Sequence, residues 1–201
     1  MKALHRPDLF GWSVFNEEKN VDFNGTVWVR ESGNIVIDPM PMTEHDLAHL
    51  ETLGGAAWIV LTNSDHTRCG QELAASTGAM LAAPAGEKDS WPYPCDAWIS
   101  EDNCPIEGLQ VFEMNGSKTP GELALLIDGH TLVTGDLVRA HRGGSLMILP
   151  DPKLTDRNAA IASVSRLAEI GSIQAVLVGD GWHVFRDGAA QLRVLASSLA
   201  S

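Results

Sequence analysis

Short, wholly apolar runs recur along the chain. Ala57-Trp58-Ile59-Val60-Leu61, Ala79-Met80-Leu81-Ala82-Ala83, Leu123–Ile127 and Ala175-Val176-Leu177-Val178 are too short for helices of their own and lack the alternation of a half-exposed strand. Runs of this kind suit strands buried on both faces. Thr131–Thr134 joins them, because Asp128-Gly129 between it and Leu123–Ile127 is a strong two-residue hairpin signal. Earlier, Thr26–Arg30 and Gly33–Pro39 read as two strands joined by a short turn. Helical spacing fills the intervals. One helix starts at Thr43, with Asp46 completing an approximate capping box, carries Leu47, Leu50 and Leu53, and stops at Gly54-Gly55. A second covers about Arg68–Ser76 and ends at Gly78. A third runs from about Thr155 to Ile170, with Ile161, Val164, Leu167 and Ala168 on one face, and a fourth spans about Gly188–Ser198 with Leu192 and Leu195. From Pro84 to Pro105 no periodicity survives, and the Pro- and Trp-rich stretch Trp91–Trp98 reads as a loop, either a lid or a segment pinned by its own aromatics. Strands and helices alternate from end to end, which predicts an α/β class and one domain over residues 1–201.

Composition narrows the setting. The 201 residues hold 14 Lys+Arg against 26 Asp+Glu, a formal net charge of −12, and the 44% hydrophobic share is that of a globular protein. With no basic stripe, nucleic acid is an unexpected partner. His5, Arg6, Pro7 and Asp8 interrupt the N-terminal apolar residues, so no secretory signal is expected there. No run of about 18 apolar residues suggests a membrane span. Cys69, Cys95 and Cys104 form an odd set without Cys-x-x-Cys spacing, which favours reduced thiols and a cytoplasmic location, with Cys95–Cys104 pairing left open.

The chemistry concentrates at strand ends. Trp58–Leu61 leads into Thr62-Asn63-Ser64-Asp65-His66, Thr131–Thr134 into Gly135-Asp136, and Ala175–Val178 into Gly179-Asp180-Gly181. In α/β proteins the carboxyl ends of buried strands line the ligand crevice. One acid in such a place is usually a turn residue or a cap. Three acids, one with a histidine beside it, would repel one another unless a cation neutralised them. A divalent metal held by Asp65, His66, Asp136 and Asp180 would do so, and that oxygen-rich set suits zinc, manganese or iron. Lys118, with Arg68, offers the alternative of a metal-free cleft. Arg139-Ala140-His141-Arg142 is the one concentrated positive patch and is a candidate for meeting an anionic group of a small-molecule substrate. His183, three residues past Asp180, and Asn63 are further candidates for contacting that substrate.

At these residues the chain resembles the metallo-β-lactamase superfamily. Thr62–His66 stands where that family carries Thr-His-x-His-x-Asp-His, Ser117-Lys118-Thr119-Pro120-Gly121-Glu122 resembles its Gly-His-Thr-Pro-Gly-His, Gly135-Asp136 its metal-bridging Gly-Asp, and Gly179-Asp180-Gly181 its terminal Gly-His-Gly. The resemblance implies a four-layer αββα sandwich of two mixed sheets flanked by helices. It also implies a metal-dependent hydrolase of a small ester, thioester, lactone or amide. The departures are specific. The His-x-His pair has become Asn63-Ser64 and the third first-metal histidine is replaced at Lys118, so a single metal is expected at most. Asp65 and Lys118 are then the catalytic candidates, Lys118 stabilising a developing oxyanion. The other outcome is a metal-free, non-catalytic ligand-binding or structural member. Self-association is left open.

Overall fold

The computed structural model describes residues 1–200. Seven strands form the first sheet: β1 (Lys2–Ala3), β2 (Leu9–Asn16), β3 (Val21–Trp28), β4 (Ile35–Ile37), β5 (Trp58–Val60), β6 (Met80–Pro84) and β7 (Ala97–Ile99), lying in chain order. Antiparallel pairing from β1 to β4 gives way to parallel pairing from β4 to β7. The remaining strands are β8 (Leu109–Glu113), β9 (Leu123–Ile127), β10 (Thr131–Thr134), β11 (Val138–Arg142), β12 (Ser145–Ile148) and β13 (Ala175–Val178). Four of them make a second sheet in the order β13-β10-β9-β8, and β11 pairs with β12 as a separate hairpin. Helices α1 (Glu44–Thr52) and α2 (Gly70–Thr77) belong with the first sheet, α3 (Arg157–Ala168) and α4 (Gly188–Leu199) with the second.

Burial explains the apolar runs. In β5, Ile59 packs with Leu50 of α1 and Leu73 of α2, while its neighbour Val60 packs between the sheets with Ile37, Leu125 and Leu177. In β13, Leu177 enters that same inter-sheet core, and Val176 and Val178 face Val164, Leu167 and Leu192 of α3 and α4. Each of these strands lies between a helix layer and the opposite sheet: no position of β13 faces water, only Trp58 of β5 is half-buried, and in β6 Met80 departs from the expected burial at 45% exposed. The result is the α/β class that the sequence pattern predicts, in the sandwich of two mixed sheets flanked by helices that the resemblance implies.

Local signals fall where expected. Thr43 caps α1 with the reciprocal Asp46 bonds of a full capping box, and Asp128 and Gly129 both take positive φ, 49° and 73°, as a type I′ hairpin requires. The Pro84–Pro105 stretch differs from its expectation. It contains a 3₁₀ turn over Ala85–Ser90 and the edge strand β7. Trp91 is 9% exposed and stacks edge-on with Tyr93 and Trp98 over the helix-side core containing Leu81 and Ala83. The segment is pinned by its own aromatics. All three cysteines are free, and no helix among the described residues is long and apolar enough to cross a membrane.

Candidate functional site

The ends of β4, β5, β10 and β13 meet at one place. Asp38 follows β4 with φ 47°, a left-handed conformation that a short polar side chain tolerates. Only 2% exposed, its carboxylate accepts from the Thr62 amide at 2.8 Å, the Thr62 hydroxyl at 2.6 Å and His66 Nδ1 at 2.7 Å. His66 ends a 3₁₀ turn, Ser64–His66, whose cap is Asn63: the Asn63 side-chain oxygen accepts from the His66 amide at 3.0 Å. The same Asn63 donates through Nδ2 to Asp136 Oδ2 at 3.0 Å. Glu87, 1% exposed, caps the turn's start by accepting from the Ser64 amide at 3.0 Å.

Glycines let the strand ends close together. A Cβ on Gly135 would stand 2.9 Å from Asn63 Nδ2 and 3.0 Å from Thr62 Oγ1, and one on Gly179 would stand 2.7 Å from the His66 ring. Neither space accepts a side chain, so the Gly-Asp pairs bring Asp136 and Asp180 in beside His66.

The charges are then matched pairwise. Asp136 Oδ2 faces Lys118 Nζ at 2.9 Å and His66 Nε2 at 3.5 Å, while its Oδ1 meets Arg139 Nη2 at 3.1 Å. Arg139 also donates through Nε to the Asp136 carbonyl at 3.1 Å. Its other terminal nitrogen, Nη1, reaches Asp180 Oδ2 at 3.1 Å, which His141 Nε2 approaches at 2.9 Å. Lys118 extends outward to Asp65 at 2.5 Å, and Asp65 is the solvent-facing member, its side chain 55% exposed. Burial alone would push His66 toward neutrality, but Asp38 and Asp136 outweigh it and raise its pKa to about 9. Burial also opposes ionisation of Asp136, yet His66 and Lys118 hold it well below the usual carboxylate range. Lys118 is raised, its burial overcome by Asp136 and Asp65. Behind the cluster Glu122 is fully enclosed; burial and the charge of Asp136 push its pKa up to about 7, although Ser117 and the Leu137 amide both donate to it.

A family model described as the metallo-beta-lactamase superfamily matches residues 1–199. The chain belongs to the metallo-beta-lactamase superfamily. No curated protein matches it. Among solved structures it resembles the DIM-1 metallo-beta-lactamase (17% identity, 98% of this chain and 95% of that one, TM-score 0.73). Another is FIM-1 from Pseudomonas aeruginosa in its mono-zinc form (17% identity, 94% and 90% covered, TM-score 0.70). A third is TTHA1623 in a di-iron-bound form (21% identity, 84% and 91% covered, TM-score 0.63). At these identities the structural likeness is one of fold.

Two of these structures hold metal, FIM-1 one zinc and TTHA1623 two irons. The residues present here do not fit a metal. Among the described residues no group of three or more His, Cys, Asp or Glu is disposed to hold an ion. The reason is the placement of protein cations. Arg139 stands between Asp136 and Asp180, Lys118 between Asp65 and Asp136, and both nitrogens of His66 are turned to carboxylates. The expected metal ligands Asp65, His66, Asp136 and Asp180 do gather, but around side-chain cations.

The other candidates are redistributed as well. Arg139, expected on a surface patch meeting substrate, is 7% exposed. His141 braces Asp180, and Asn63 braces both His66 and Asp136. His183 accepts from the Val178 amide through Nδ1 at 3.2 Å, and burial lowers its pKa to about 4. Arg68, named with Lys118 for a metal-free cleft, donates instead to the Asn24 carbonyl at 3.2 Å and lies over the Phe23 ring. Sequence reasoning did not single out Asp38, Glu87 or Glu122. Asp38 ends an apolar strand as the other three acids do, and that was its signal. Glu122 closes the Ser117–Glu122 segment, where only Lys118 drew attention, and Glu87 is brought in by long-range packing that no local pattern announces.

Proposed function

We propose that this protein is a metal-independent member of its superfamily, a small-molecule-binding protein and not a metallohydrolase. The observation that carries the reading is Arg139, buried with its guanidinium forked between Asp136 and Asp180. Arginine does not lose its proton in proteins, so this charge stays. A divalent ion entering here would compete for the same carboxylate oxygens and face a fixed positive group across a few ångströms. In metallohydrolases the ion polarises the substrate and supplies hydroxide near neutral pH. Lys118, tied to two carboxylates, is a poor substitute for either task.

Room for a ligand exists beside Gly181, one residue past Asp180, in a wall that includes His183 but none of the cluster's charged side chains. A cavity of about 690 Å³ opens between β2, β3 and the Gly181–Phe185 segment, and includes Trp12, Asp22, Asn24, Trp182 and Phe185 in its wall. Aromatic faces with a few polar groups are the usual lining of a small-molecule site.

Metal analysis tests the reading. Protein purified without added metal should carry less than about a tenth of an equivalent of any transition metal, and chelators should leave its Tm unchanged, because linkage requires a bound ion to stabilise the fold. Near-stoichiometric metal, lost in Asp136→Asn together with a chelator-induced drop in Tm, would overturn it. The single-metal hydrolase built on Asp65, His66, Asp136 and Asp180 would then stand.

A further inference from the structure

We infer that the groove between α1 and α2 is a docking site for a basic amphipathic helix of a partner protein. The groove shares no residue with the charge cluster or with the cavity beside Gly181, and its chemistry is independent of theirs. Helical spacing builds it. In α1, Glu44, Leu47, Ala48 and Glu51 fall at i, i+3, i+4 and i+7, one stripe with an acid at each end and apolar residues between. Cys69, Glu72, Leu73 and Ser76 fall at the same spacing along α2 and its cap. The two stripes line two hollows, of about 410 and 360 Å³, which share Leu47 and Ser76. Met40, Pro41 and Met42, in the connection ahead of α1, extend the apolar wall of the second hollow.

The fold leaves this stripe uncovered. Leu50 is the buried residue of α1, and Leu47, one turn earlier on the same side, is 41% exposed. The hydroxyls of Ser76 and Thr77 both donate back to the Leu73 carbonyl, at 3.0 and 2.7 Å, so neither donates into the groove. An apolar trough of this kind selects a helix by its apolar anchors and by the charge of the rim. The rim is acidic. Glu44, Glu51 and Glu72 are exposed and stand outside every ion pair among the described residues, whereas Asp46 and Asp65 are matched by the N-terminal amine and Lys118. From residue 41 to 77 the single Lys or Arg is Arg68, and its guanidinium is turned to the Asn24 carbonyl and the Phe23 ring. Glu44 and Glu51 stand about 10 Å apart along the helix axis. A helix with Lys or Arg at that interval and bulky apolar residues between them matches both the rim and the trough. A second copy of this chain would set the same acids against each other.

The probe is a labelled synthetic peptide of about 15 residues, four helical turns, with leucines on one face and lysines flanking them a heptad apart. Its counterpart carries glutamates in place of the lysines. Fluorescence anisotropy with the full chain should give a Kd of about 10–100 µM for the lysine peptide at about 0.05 M sodium chloride, and no measurable binding of the glutamate peptide. Leu47→Ser should weaken binding by about five-fold or more. The triple variant Glu44→Gln, Glu51→Gln, Glu72→Gln should weaken it by about ten-fold. A control triple variant, Glu17→Gln, Glu18→Gln, Glu31→Gln, removes the same charge from exposed acids elsewhere and should cost about two-fold at most. Every substituted side chain is exposed, so the variants should keep the Tm of the parent. Equal losses in the two triple variants, or no loss in Leu47→Ser, overturns the inference, because the peptide would then follow overall charge. Absence of binding to the parent overturns it as well. A parent that sediments as a dimer, split by Leu47→Ser, assigns the groove to a second copy and overturns the basic partner. None of these outcomes touches the metal content on which the proposed function is tested.

Discussion

Each ring nitrogen of His66 faces a carboxylate, Asp38 at 2.7 Å and Asp136 at 3.5 Å, so the buried ring is held as a cation. Its pKa lies at about 9 in the folded protein against 6.5 for the free side chain. A group raised in this way stabilises fully below the lower value, and the contribution is lost as pH climbs through the upper one. Glu122 is also raised, to about 7 from 4.5. For a carboxyl the folded state then holds the extra proton between those values, so stability falls as pH rises from about 4.5 to 7 and stays reduced above. Taken alone the two groups make stability decline in two stages, acid to neutral and neutral to alkaline, while His183, lowered from 6.5 to about 4, opposes the first by adding stability as pH rises through that window. Glu122→Gln keeps an acceptor for the Leu137 amide and a partner for Ser117. The variant should gain stability relative to the parent as pH rises from about 4.5 to 7 and be at least as stable at pH 8, with the second stage intact. Urea midpoints of both proteins across pH 4 to 10 measure this, and a parent–variant difference that does not change between pH 4.5 and 7 would assign the titration to other groups. The acids at three strand ends were legible because buried strands point their last residues into a common crevice. Arg139 was not, because next to His141 and the exposed Arg142 it looked like surface charge. Its strand register is informative: residues 139 and 141 share one face of β11, and both reach Asp180.

At the scale of elements, the segment after β13 holds the two halves of the edge together. The Asn24 amide donates to the Gly179 carbonyl at 2.9 Å and the Gly181 amide to the Asp22 carbonyl at 2.8 Å. On the other side the Trp182 amide donates to the Ala140 carbonyl at 2.7 Å. Residues 179–182 thus run between the β2–β3 hairpin and the β11–β12 hairpin, with Asn24 Nδ2 adding bonds to the Val178 and Gly181 carbonyls. Gly181 takes φ 93°, and a Cβ there would fall 2.1 Å from the Ala140 carbonyl oxygen. Gly181→Ala should therefore cost about 2–4 kcal/mol, the sum of a strained φ and a backbone collision. Chemical denaturation measures it, and a loss under about 0.5 kcal/mol, the range of an ordinary surface substitution, would show that the segment moves freely. These contacts explain why the terminal Gly-Asp-Gly was readable as a motif while its neighbours were not. A glycine pair around an acid is a local signal, whereas the strand β11 it pairs with has no distinctive apolar pattern. β7 escaped notice for a related reason. An edge strand of three residues, Ala97–Ile99, close behind Pro92 and Pro94 offers too few positions to show alternation.

Across the whole molecule the acid excess divides into two populations, of which only one responds to salt. Inside the cluster the carboxylates of Asp38, Asp136 and Asp180 are nearly matched by His66, Lys118 and Arg139, and they lie 5% exposed or less. Buried pairs are screened little by added ions. The formal charge of −12 is therefore carried almost wholly by exposed acids such as Glu17, Glu18, Glu44 and Glu51. Self-repulsion of that excess opposes the compact state, and its range at 0.1 M salt is about 10 Å. Exposed pairs such as Arg157–Asp151 contribute little in compensation. Raising sodium chloride from about 0.02 to 0.3 M should then lift Tm by a few degrees, since screening relieves the surface and leaves the cluster alone. Arg139→Ala should respond more steeply, because its uncompensated carboxylates join the repelling set. Differential scanning calorimetry of both proteins over that range compares the slopes. A Tm that falls with salt in the parent would mean that attractive pairs within reach of solvent dominate. The Asp65–Lys118 bridge, with its exposed carboxylate, would be the first place to look.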